Sequence, residues 1–298
     1  MNSNKQENSS MSLRGVARHE AKQSISKIKD FSISKEEFQL EYNSEYDLFQ
    51  TLPIPENLDK YYQSEDYISH TDSKRSLFEK AYHWVKQYTL SQKERLISSY
   101  VKSKGNLLDI GAGTGDFLAY AQSKKWKVTG IEPSSKAKEL AQKKGVSFVE
   151  NTENLSDNSF DVITMFHVLE HVEDLDKQLS ELKRISKPNG IIIIAVPNFK
   201  SYDAKYYKEF WAAYDVPRHI WHFSKTSIKK LFSEKEIELQ KIKPMYFDSF
   251  YVSLLSEKYK NGKMNFIRAF FIGLLSNLKG ISSKEFSSHI YVLKNTKK

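Results

Sequence analysis

Cysteine is absent from the 298-residue chain. Its absence excludes disulfide bonds, thiolate metal ligands and cysteine nucleophiles, and it fits a protein of the reducing cytoplasm. The first ten residues are polar and contain no apolar segment, so we expect no secretory signal. No run of about 18 apolar residues occurs, and the sequence therefore predicts no membrane-spanning helix.

Charge is unevenly distributed along the chain. The formal net charge is +9, and residues 226–298 alone carry 14 Lys and Arg against 6 Asp and Glu. A localised basic surface attracts nucleic acid, lipid headgroups or acidic small molecules, whereas a lysine-rich surface in water is the simpler interpretation. The sequence contains no recognised RNA-binding module and no interleaving of basic and aromatic residues, which argues against nucleic acid.

Composition divides the chain into regions. The segment up to residue 33 is polar, with few apolar residues, and we predict that it is disordered. Apolar residues then recur at helical spacing from Leu77 to Tyr88, which predicts an amphipathic helix. The predicted regions are a disordered tail at 1–33, an N-terminal helical cap at 34–103, and a domain at 104–298 with a core at 104–230 and a basic part at 231–298.

Strand and helix patterns alternate from residue 106 onward. Strands are predicted at 106–110, 127–132, 146–149, 160–166, 190–196, 237–242 and 288–294. Helices are predicted at 117–124, 135–144, 175–185, 226–232 and 266–278. The fifth strand is apolar on both faces, as a central parallel strand requires. This alternation predicts an α/β fold with a mostly parallel sheet covered by helices on both sides.

The strongest local signal is the glycine loop Gly111-Ala112-Gly113-Thr114-Gly115, which follows Asp109 at the end of the first of these strands. Such a loop lets a ligand approach the backbone at the strand ends. A dinucleotide fingerprint requires Gly or Ala where this chain has Asp116, and no phosphate-loop Gly-Lys-Ser/Thr follows. A carboxylate at a helix N-terminus opposes a pyrophosphate. The loop therefore fits a cationic ligand without phosphate, such as S-adenosylmethionine, whose ammonium and sulfonium Asp109 favours.

An acidic residue, Glu132, ends the second of these strands, where it can accept both hydroxyls of a ribose. Together these segments resemble the class I S-adenosylmethionine-dependent methyltransferases, nearest the subgroup that includes ubiquinone-biosynthesis O-methyltransferases. The resemblance is carried by Leu108 to Gly115, Gly130 to Pro133, Phe160 to Ile163, His167 to Val172, Pro188 to Gly190, and Val196 to Asn198.

The resemblance implies a Rossmann-like fold, with a seven-stranded, mostly parallel sheet whose last strand is antiparallel. It implies that the glycines surround the methionine part of the cofactor, that Glu132 binds the ribose, and that Phe166 and His167 lie beside the cofactor. The expected cofactor-binding residues are Asp109, Gly111, Ala112, Gly113, Thr114, Gly115, Glu132, Pro133, Phe166 and His167.

His167, Glu170 and His171 also match the His-x-x-Glu-His pattern of some zinc proteases. We reject that function, because the segment follows a strand that carries the methyltransferase signature. Ubiquinone-type relatives have an acidic residue where this chain has His167, and some need magnesium. An imidazole weakens a magnesium site, so we predict no metal ligands.

A second cluster, rich in aromatic residues and running from Trp211 to Phe223, follows the fifth strand, where substrate loops lie in this fold. Similar methyltransferases carry a related Asp-x-Pro-x-His segment there. Methyl transfer to a hydroxyl needs a base, and histidine titrates near neutral pH. We rank His219 first as that base, then His171, His222 and His167. The alternative interpretation is a packed, hydrogen-bonded aromatic loop.

The segment from Met264 to Leu278 is the most apolar stretch and lies within the basic region. It predicts either an interfacial helix that contacts a membrane or a buried helix that closes the substrate pocket. We expect a methyltransferase that acts on a small-molecule or lipid-like acceptor at oxygen. The alternatives are an RNA methyltransferase and a catalytically silent S-adenosylmethionine-binding module; the intact glycine loop and Glu132 argue against the latter.

Overall fold

The computed structural model describes residues 24–62 and 77–296. The strands are β1 (Ser24–Lys29), β2 (Glu37–Asn43), β3 (Leu48–Leu52), β4 (Asn106–Ile110), β5 (Lys127–Ile131), β6 (Phe148–Val149), β7 (Phe160–Phe166), β8 (Ser186–Pro197), β9 (Trp221–His222), β10 (Ile237–Pro244) and β11 (Ser288–Asn295). The helices are α1 (Leu77–Ser98), α2 (Asp116–Ser123), α3 (Ser135–Gln142), α4 (Leu175–Ile185), α5 (Tyr202–Tyr207), α6 (Lys225–Glu234), α7 (Asp248–Asn261) and α8 (Phe266–Ser283).

The main sheet has seven strands in the order β10-β11-β8-β7-β4-β5-β6. Strands β4 to β8 pair in parallel, and β11 runs antiparallel to both β8 and β10. The predicted Rossmann-like sheet with an antiparallel last strand is confirmed. Because the carboxyl ends of the parallel strands meet at one edge, the loops after β4, β5, β7 and β8 lie together.

Local sequence explains the elements that border this edge. The apolar run from Ile191 to Ile194 in β8 is buried on both faces between layers of helices. Helix α4 buries Leu175 and Leu182 on one stripe against the sheet, and its N-cap Asp174 accepts a hydrogen bond from the backbone of Lys177. Strand β8 begins four residues earlier than predicted.

The N-terminal cap contains a small sheet that the sequence analysis did not predict. Strands β1, β2 and β3 are antiparallel, and β3 also pairs with β9, so the order is β1-β2-β3-β9. The disorder predicted for residues 1–33 therefore does not extend to residues 24–33, which include the buried Asp30, and residues 1–23 lie outside the described residues. The cap also contains the predicted helix, α1. In β2, exposed and buried residues alternate at first, and such alternation is typical of a β-strand with one buried face.

Two antiparallel helices, α7 and α8, form a hairpin beside the sheet, and only α8 was predicted. They approach closely at Gly273, where a Cβ would lie 3.0 Å from the backbone N of Phe250. The buried face of α8 consists mostly of small or polar residues, whereas most of its large apolar side chains are exposed. In the part of the chain that the structure describes, no helix is long and apolar enough to cross a membrane.

Candidate cofactor and acceptor site

The loop between β4 and α2 turns sharply at three glycines. Gly111, Gly113 and Gly115 all have positive φ, at 77°, 52° and 71°. At Gly111 a Cβ would lie 2.2 Å from Val168 Cγ2, whereas at Gly113 it would meet nothing within 4 Å. The loop is therefore packed against the protein at its start and open at Gly113, where a ligand can approach the backbone.

A cavity of about 470 Å³ lies in front of this loop, a size typical of small-molecule sites. Seven of the ten residues predicted to bind cofactor line it: Gly111, Gly113, Thr114, Glu132, Pro133, Phe166 and His167. The other three, Asp109, Ala112 and Gly115, belong to the strand and loop beneath it. The cavity is also lined by Tyr62 from the cap and by His171. The structure thus brings residues from four segments of the chain to one site.

Glu132 ties the glycine loop to the strand beside it. Its Oε2 accepts a hydrogen bond from the backbone N–H of Gly113 at 2.8 Å, and its Oε1 accepts one from Ser134 at 2.9 Å. Each carboxylate oxygen has a second lone pair. Glu132 can therefore hold the loop and still accept ligand hydroxyls.

Asp109 places a buried carboxylate beneath the cavity. Its side chain is 5% exposed and accepts a hydrogen bond of 2.6 Å from Thr164 Oγ1. Burial raises the pKa of Asp109 to about 6, against the opposing effects of Thr164 and Lys93. A carboxylate in this position favours a cationic ligand.

Lys93 is a site residue that the sequence analysis missed. Its Nζ lies 3.7 Å from the ring centroid of Phe166, on the cavity wall, in cation–π geometry. Burial lowers the pKa of Lys93, while Asp109 and Asp248 oppose that change. The spacing of the sequence could have revealed this residue, because Lys93 lies on the same helical stripe of α1 as the buried Leu90 and Ile97. A lysine on an apolar stripe is unusual unless it has a partner there.

The charge of Asp116, at the start of α2, is offset by neighbouring lysines. Its carboxylate pairs with Lys86 at 2.8 Å and with Lys144 at 2.9 Å, and it accepts a hydrogen bond from Thr114. Two lysines offset its charge, so repulsion of a pyrophosphate is much weaker than the sequence alone indicated.

His167 bridges two carboxylates at the cavity. Its Nδ1 lies 3.3 Å from Glu170 Oε1, and its Nε2 lies 3.2 Å from Asp248 Oδ2. Burial by itself lowers the pKa of His167, but the two carboxylates outweigh it and raise the pKa to about 10. A histidine that keeps its proton at neutral pH is unsuited to act as a base.

His171 and His219 lie together at the end of the cavity. Their ring centroids are 4.5 Å apart, with the planes at 82°. Burial and the neighbouring His219 lower the pKa of His171 to about 4, so its ring is neutral at pH 7. His171 lines the cavity and His219 is buried behind it. His222 is buried outside the cavity lining, with Nε2 2.9 Å from Thr51 Oγ1.

The loop that carries His219 is anchored to the cap by Arg218. Its guanidinium donates hydrogen bonds to both carboxylate oxygens of Asp215, to the carbonyl of Tyr61 at 2.9 Å, and to Asp30 at 3.1 Å. This packing agrees with the alternative interpretation of the loop as a hydrogen-bonded structural element. Through contact with His171, however, His219 also belongs to the site.

Comparison with known proteins agrees with this geometry. A family model described as a methyltransferase domain matches residues 82–241, more than half of the chain, and the chain belongs to this family. A ubiquinone biosynthesis O-methyltransferase of Rickettsia felis is 28% identical over 172 residues, which cover 52% of this chain and 70% of the relative. A ubiquinone/menaquinone biosynthesis C-methyltransferase of Campylobacter jejuni is 30% identical over 113 residues, which cover 34% of this chain and 48% of the relative.

The fold is also found among solved structures. The geranyl diphosphate C-methyltransferase of Streptomyces coelicolor, in complex with Mg²⁺, geranyl diphosphate and S-adenosyl-L-homocysteine, has a TM-score of 0.51 at 14% identity. The match covers 76% of this chain and 89% of that one, and it shows the shared fold. The protein is an S-adenosylmethionine-dependent methyltransferase. The open backbone at Gly113, the acceptor oxygens of Glu132 and the carboxylate of Asp109 fit this cofactor.

Proposed function

We propose that this methyltransferase transfers the methyl group to a hydroxyl oxygen of a small, lipid-like acceptor, and that it works against an anionic membrane surface. Two of its relatives are named for quinone biosynthesis, one as an O-methyltransferase and one as a C-methyltransferase. Their names agree with a small acceptor but leave the methylated atom open. The choice of a lipid-like acceptor depends on the surface of α8.

The observation that carries the proposal is the inverted pattern of α8. Helices of globular proteins bury their large apolar side chains, but α8 buries residues such as Ala269 and Ser276 and exposes most of its large ones, with Ile272 buried. Ile267 is 74% exposed. The other exposed apolar side chains of this helix are Phe266, Phe270, Phe271, Leu275, Leu278 and Ile281. A contiguous apolar surface of this kind is typical of an interaction site.

The charge around this surface supports an anionic membrane as its partner. Residues 258–284 carry six Lys and Arg and no Asp or Glu. Basic side chains that flank exposed aromatic and aliphatic residues are typical of helices that lie in the interface of an anionic bilayer. The structure favours this alternative over a helix buried above the substrate pocket.

The membrane-facing surface is continuous with the active site. Asp248, the first residue of α7, contacts His167 at the cavity, and the preceding Phe247 is 66% exposed. Tyr251, one turn further along α7, is also exposed. An acceptor that partitions into the bilayer can therefore approach the cavity beside the start of α7.

Different residues would hold the cofactor and position the acceptor. The cofactor supplies an electrophilic methyl group whose leaving sulfur needs no acid. Glu132, the glycine loop and Asp109 hold and orient it, which converts the encounter into an intramolecular reaction. The acceptor hydroxyl would lie toward His171, which lines the cavity, and would lose its proton to water. Its oxygen forms the new bond to the methyl carbon as the carbon–sulfur bond breaks, with that electron pair remaining on sulfur.

The proposal is tested with methyl-labelled S-adenosylmethionine and a fractionated extract of the source cells. Label in the organic-soluble fraction is expected, in a product that releases labelled methyl iodide when its methyl ether is cleaved with hydriodic acid. Label in RNA, in protein or in water-soluble metabolites would contradict a lipid-like acceptor and identify the correct class. Cofactor binding in a titration without label in any fraction would instead support the catalytically silent S-adenosylmethionine-binding module.

A further inference from the structure

Three metal-ligating side chains converge beside the cavity. Glu170, His171 and His219 each contribute one ligand atom, and these atoms all lie within 4.8 Å of one another. The first two belong to the single turn Leu169–His171 that follows β7, and the third comes from the loop before β9. The backbone fixes their arrangement, because the N–H of Ile220 donates a hydrogen bond of 2.8 Å to the carbonyl of Glu170.

Backbone carbonyls set the tautomer of both imidazoles. His171 Nδ1 lies 2.9 Å from the carbonyl of Arg218, and His219 Nδ1 lies 2.8 Å from the carbonyl of Ala213. A carbonyl can only accept, so Nδ1 carries the proton in each ring; the hydroxyl oxygen of Tyr62, 3.1 Å from His171 Nδ1, accepts a second interaction. In the neutral rings, Nε2 therefore carries a lone pair. Metal-bound histidines show the same arrangement, with the second nitrogen donating to a carbonyl.

Glu170 supplies a second, independent observation. Its side chain is 1% exposed, and among the described residues its Oε2 has no hydrogen-bond partner. Its Oε1 contacts His167, which itself contacts Asp248. A buried carboxylate oxygen without a partner is costly, and two imidazole lone pairs beside it cannot relieve that cost. A cation would satisfy all three acceptors at once.

We propose that Glu170, His171 and His219 bind one divalent transition-metal ion, such as Zn²⁺, at the acceptor end of the cavity. Two imidazoles and one carboxylate match the donor preference of zinc and iron rather than of magnesium, which prefers oxygen ligands. Zinc bonds of about 2.0–2.2 Å would draw the ligand atoms to about 3.3 Å from one another. His167 Nδ1, 3.3 Å from Glu170 Oε1, orients this proposed carboxylate ligand.

A role in catalysis follows from the position of His171 on the cavity wall, and this part rests on the proposed function. Three protein ligands leave a coordination position open. A metal there would bind the acceptor hydroxyl and lower its pKa, so that the proton leaves to water before the oxygen attacks the methyl carbon.

The test begins with full-length protein stripped by a chelator. Titration calorimetry with Zn²⁺, and visible absorption with Co²⁺, are expected to show one equivalent bound. His171→Ala, His219→Ala and Glu170→Gln should each weaken Zn²⁺ binding by about 100-fold or more, beyond the loss typical of an outer-shell substitution. His222→Gln, in β9 and outside the cluster, should bind Zn²⁺ like the unaltered protein.

X-ray absorption of the unaltered zinc-loaded protein tests the proposed zinc ligands even if the variants fail to fold. Two imidazoles and one carboxylate are expected in the zinc coordination shell. Fewer than two imidazoles, an absence of binding at 1:1, or equal binding by all variants would overturn the metal site. Cofactor titration on the same samples separates the two proposals: zinc binding with label in the wrong fraction contradicts only the proposed acceptor. If turnover of a lipid-like acceptor survives complete chelation, the catalytic role of the metal is wrong.

Discussion

The carboxylate of Glu132 accepts a hydrogen bond from the backbone N–H of Gly113, across 2.8 Å. This contact joins the two sequence features on which the cofactor assignment depends. The glycine loop is therefore preorganised by the same side chain that is proposed to bind the ribose. A single substitution at Glu132 should affect both loop stability and cofactor affinity.

Replacing Glu132 with Ala should weaken S-adenosylmethionine binding by roughly 30-fold, since hydrogen bonds to a charged group contribute about 2 kcal/mol. The free energy of unfolding should also fall, by about 1–2 kcal/mol, because Gly113 and Ser134 lose their acceptor. Calorimetric titration and urea unfolding measure the two effects. Glu139→Ala, on the exposed face of α3, is the control. Unchanged affinity in the Glu132 variant would contradict its place in the cofactor site.

Comparison of Gly113→Ala with Gly145→Ala separates the effect of backbone strain on stability from the effect of a side chain in the cavity on cofactor binding. Gly113 and Gly145 both have positive φ, and at both a Cβ would meet nothing within 4 Å. Each change to Ala should therefore lower the free energy of unfolding by about 1–2 kcal/mol. Only Gly113 lines the cavity, so only Gly113→Ala should reduce cofactor affinity, by about tenfold or more. Equal affinities in the two variants would place the cofactor elsewhere.

Asp109 should make cofactor binding depend on pH. Burial raises the pKa of Asp109 to about 6, so the carboxylate is ionised at neutral pH. The ionised form attracts the cationic cofactor; affinity should hold above pH 6 and decrease as pH falls below it, by at most about tenfold per pH unit. The free energy of unfolding should change with pH in the opposite direction to cofactor affinity. Because the folded protein raises the pKa of Asp109, it favours the protonated carboxyl, and this stabilising contribution is lost as pH rises from about 3.9 to about 6.

Titrations of S-adenosylmethionine between pH 5 and pH 8 would measure this effect on binding. Asp109→Asn cannot ionise, so its affinity should be lower at neutral pH and nearly independent of pH across the range. If the variant keeps the slope of the unaltered protein, another group is responsible for the dependence.

Two substitutions on α8 test the proposed membrane surface. Ile267→Ser with Phe271→Ser should reduce co-flotation with anionic vesicles by about tenfold or more, since each exposed side chain contributes about 1.5–3 kcal/mol when it leaves water. Because both side chains are exposed in the protein, the free energy of unfolding should change by less than about 0.5 kcal/mol. Tyr88→Ser, outside the helical hairpin, should float normally. Flotation that is unaffected by the α8 changes would remove the membrane from the proposal.

Local sequence predicted the elements that carry their own signals. Strand β7 and helix α4 occur at their predicted bounds, because an apolar run defines one and an Asp174 cap with an amphipathic stripe defines the other. Strands β1 to β3 and helix α7 were not predicted. Helix α7 exposes Tyr251 while burying Glu257, so its apolar pattern does not mark a core face.

The sequence by itself determined the class of enzyme and its cofactor, because the glycine loop, Glu132 and the alternation of strands and helices are all encoded within short segments. Tertiary structure decided which way α8 faces, how Lys93 reaches Phe166, and that His219 meets Glu170 and His171. His171 and His219, 48 positions apart, come together there because the loop that carries His219 is held between the cap and the turn after β7. Such proximity depends on how separate elements pack against one another, and no periodicity or local spacing in the chain records it.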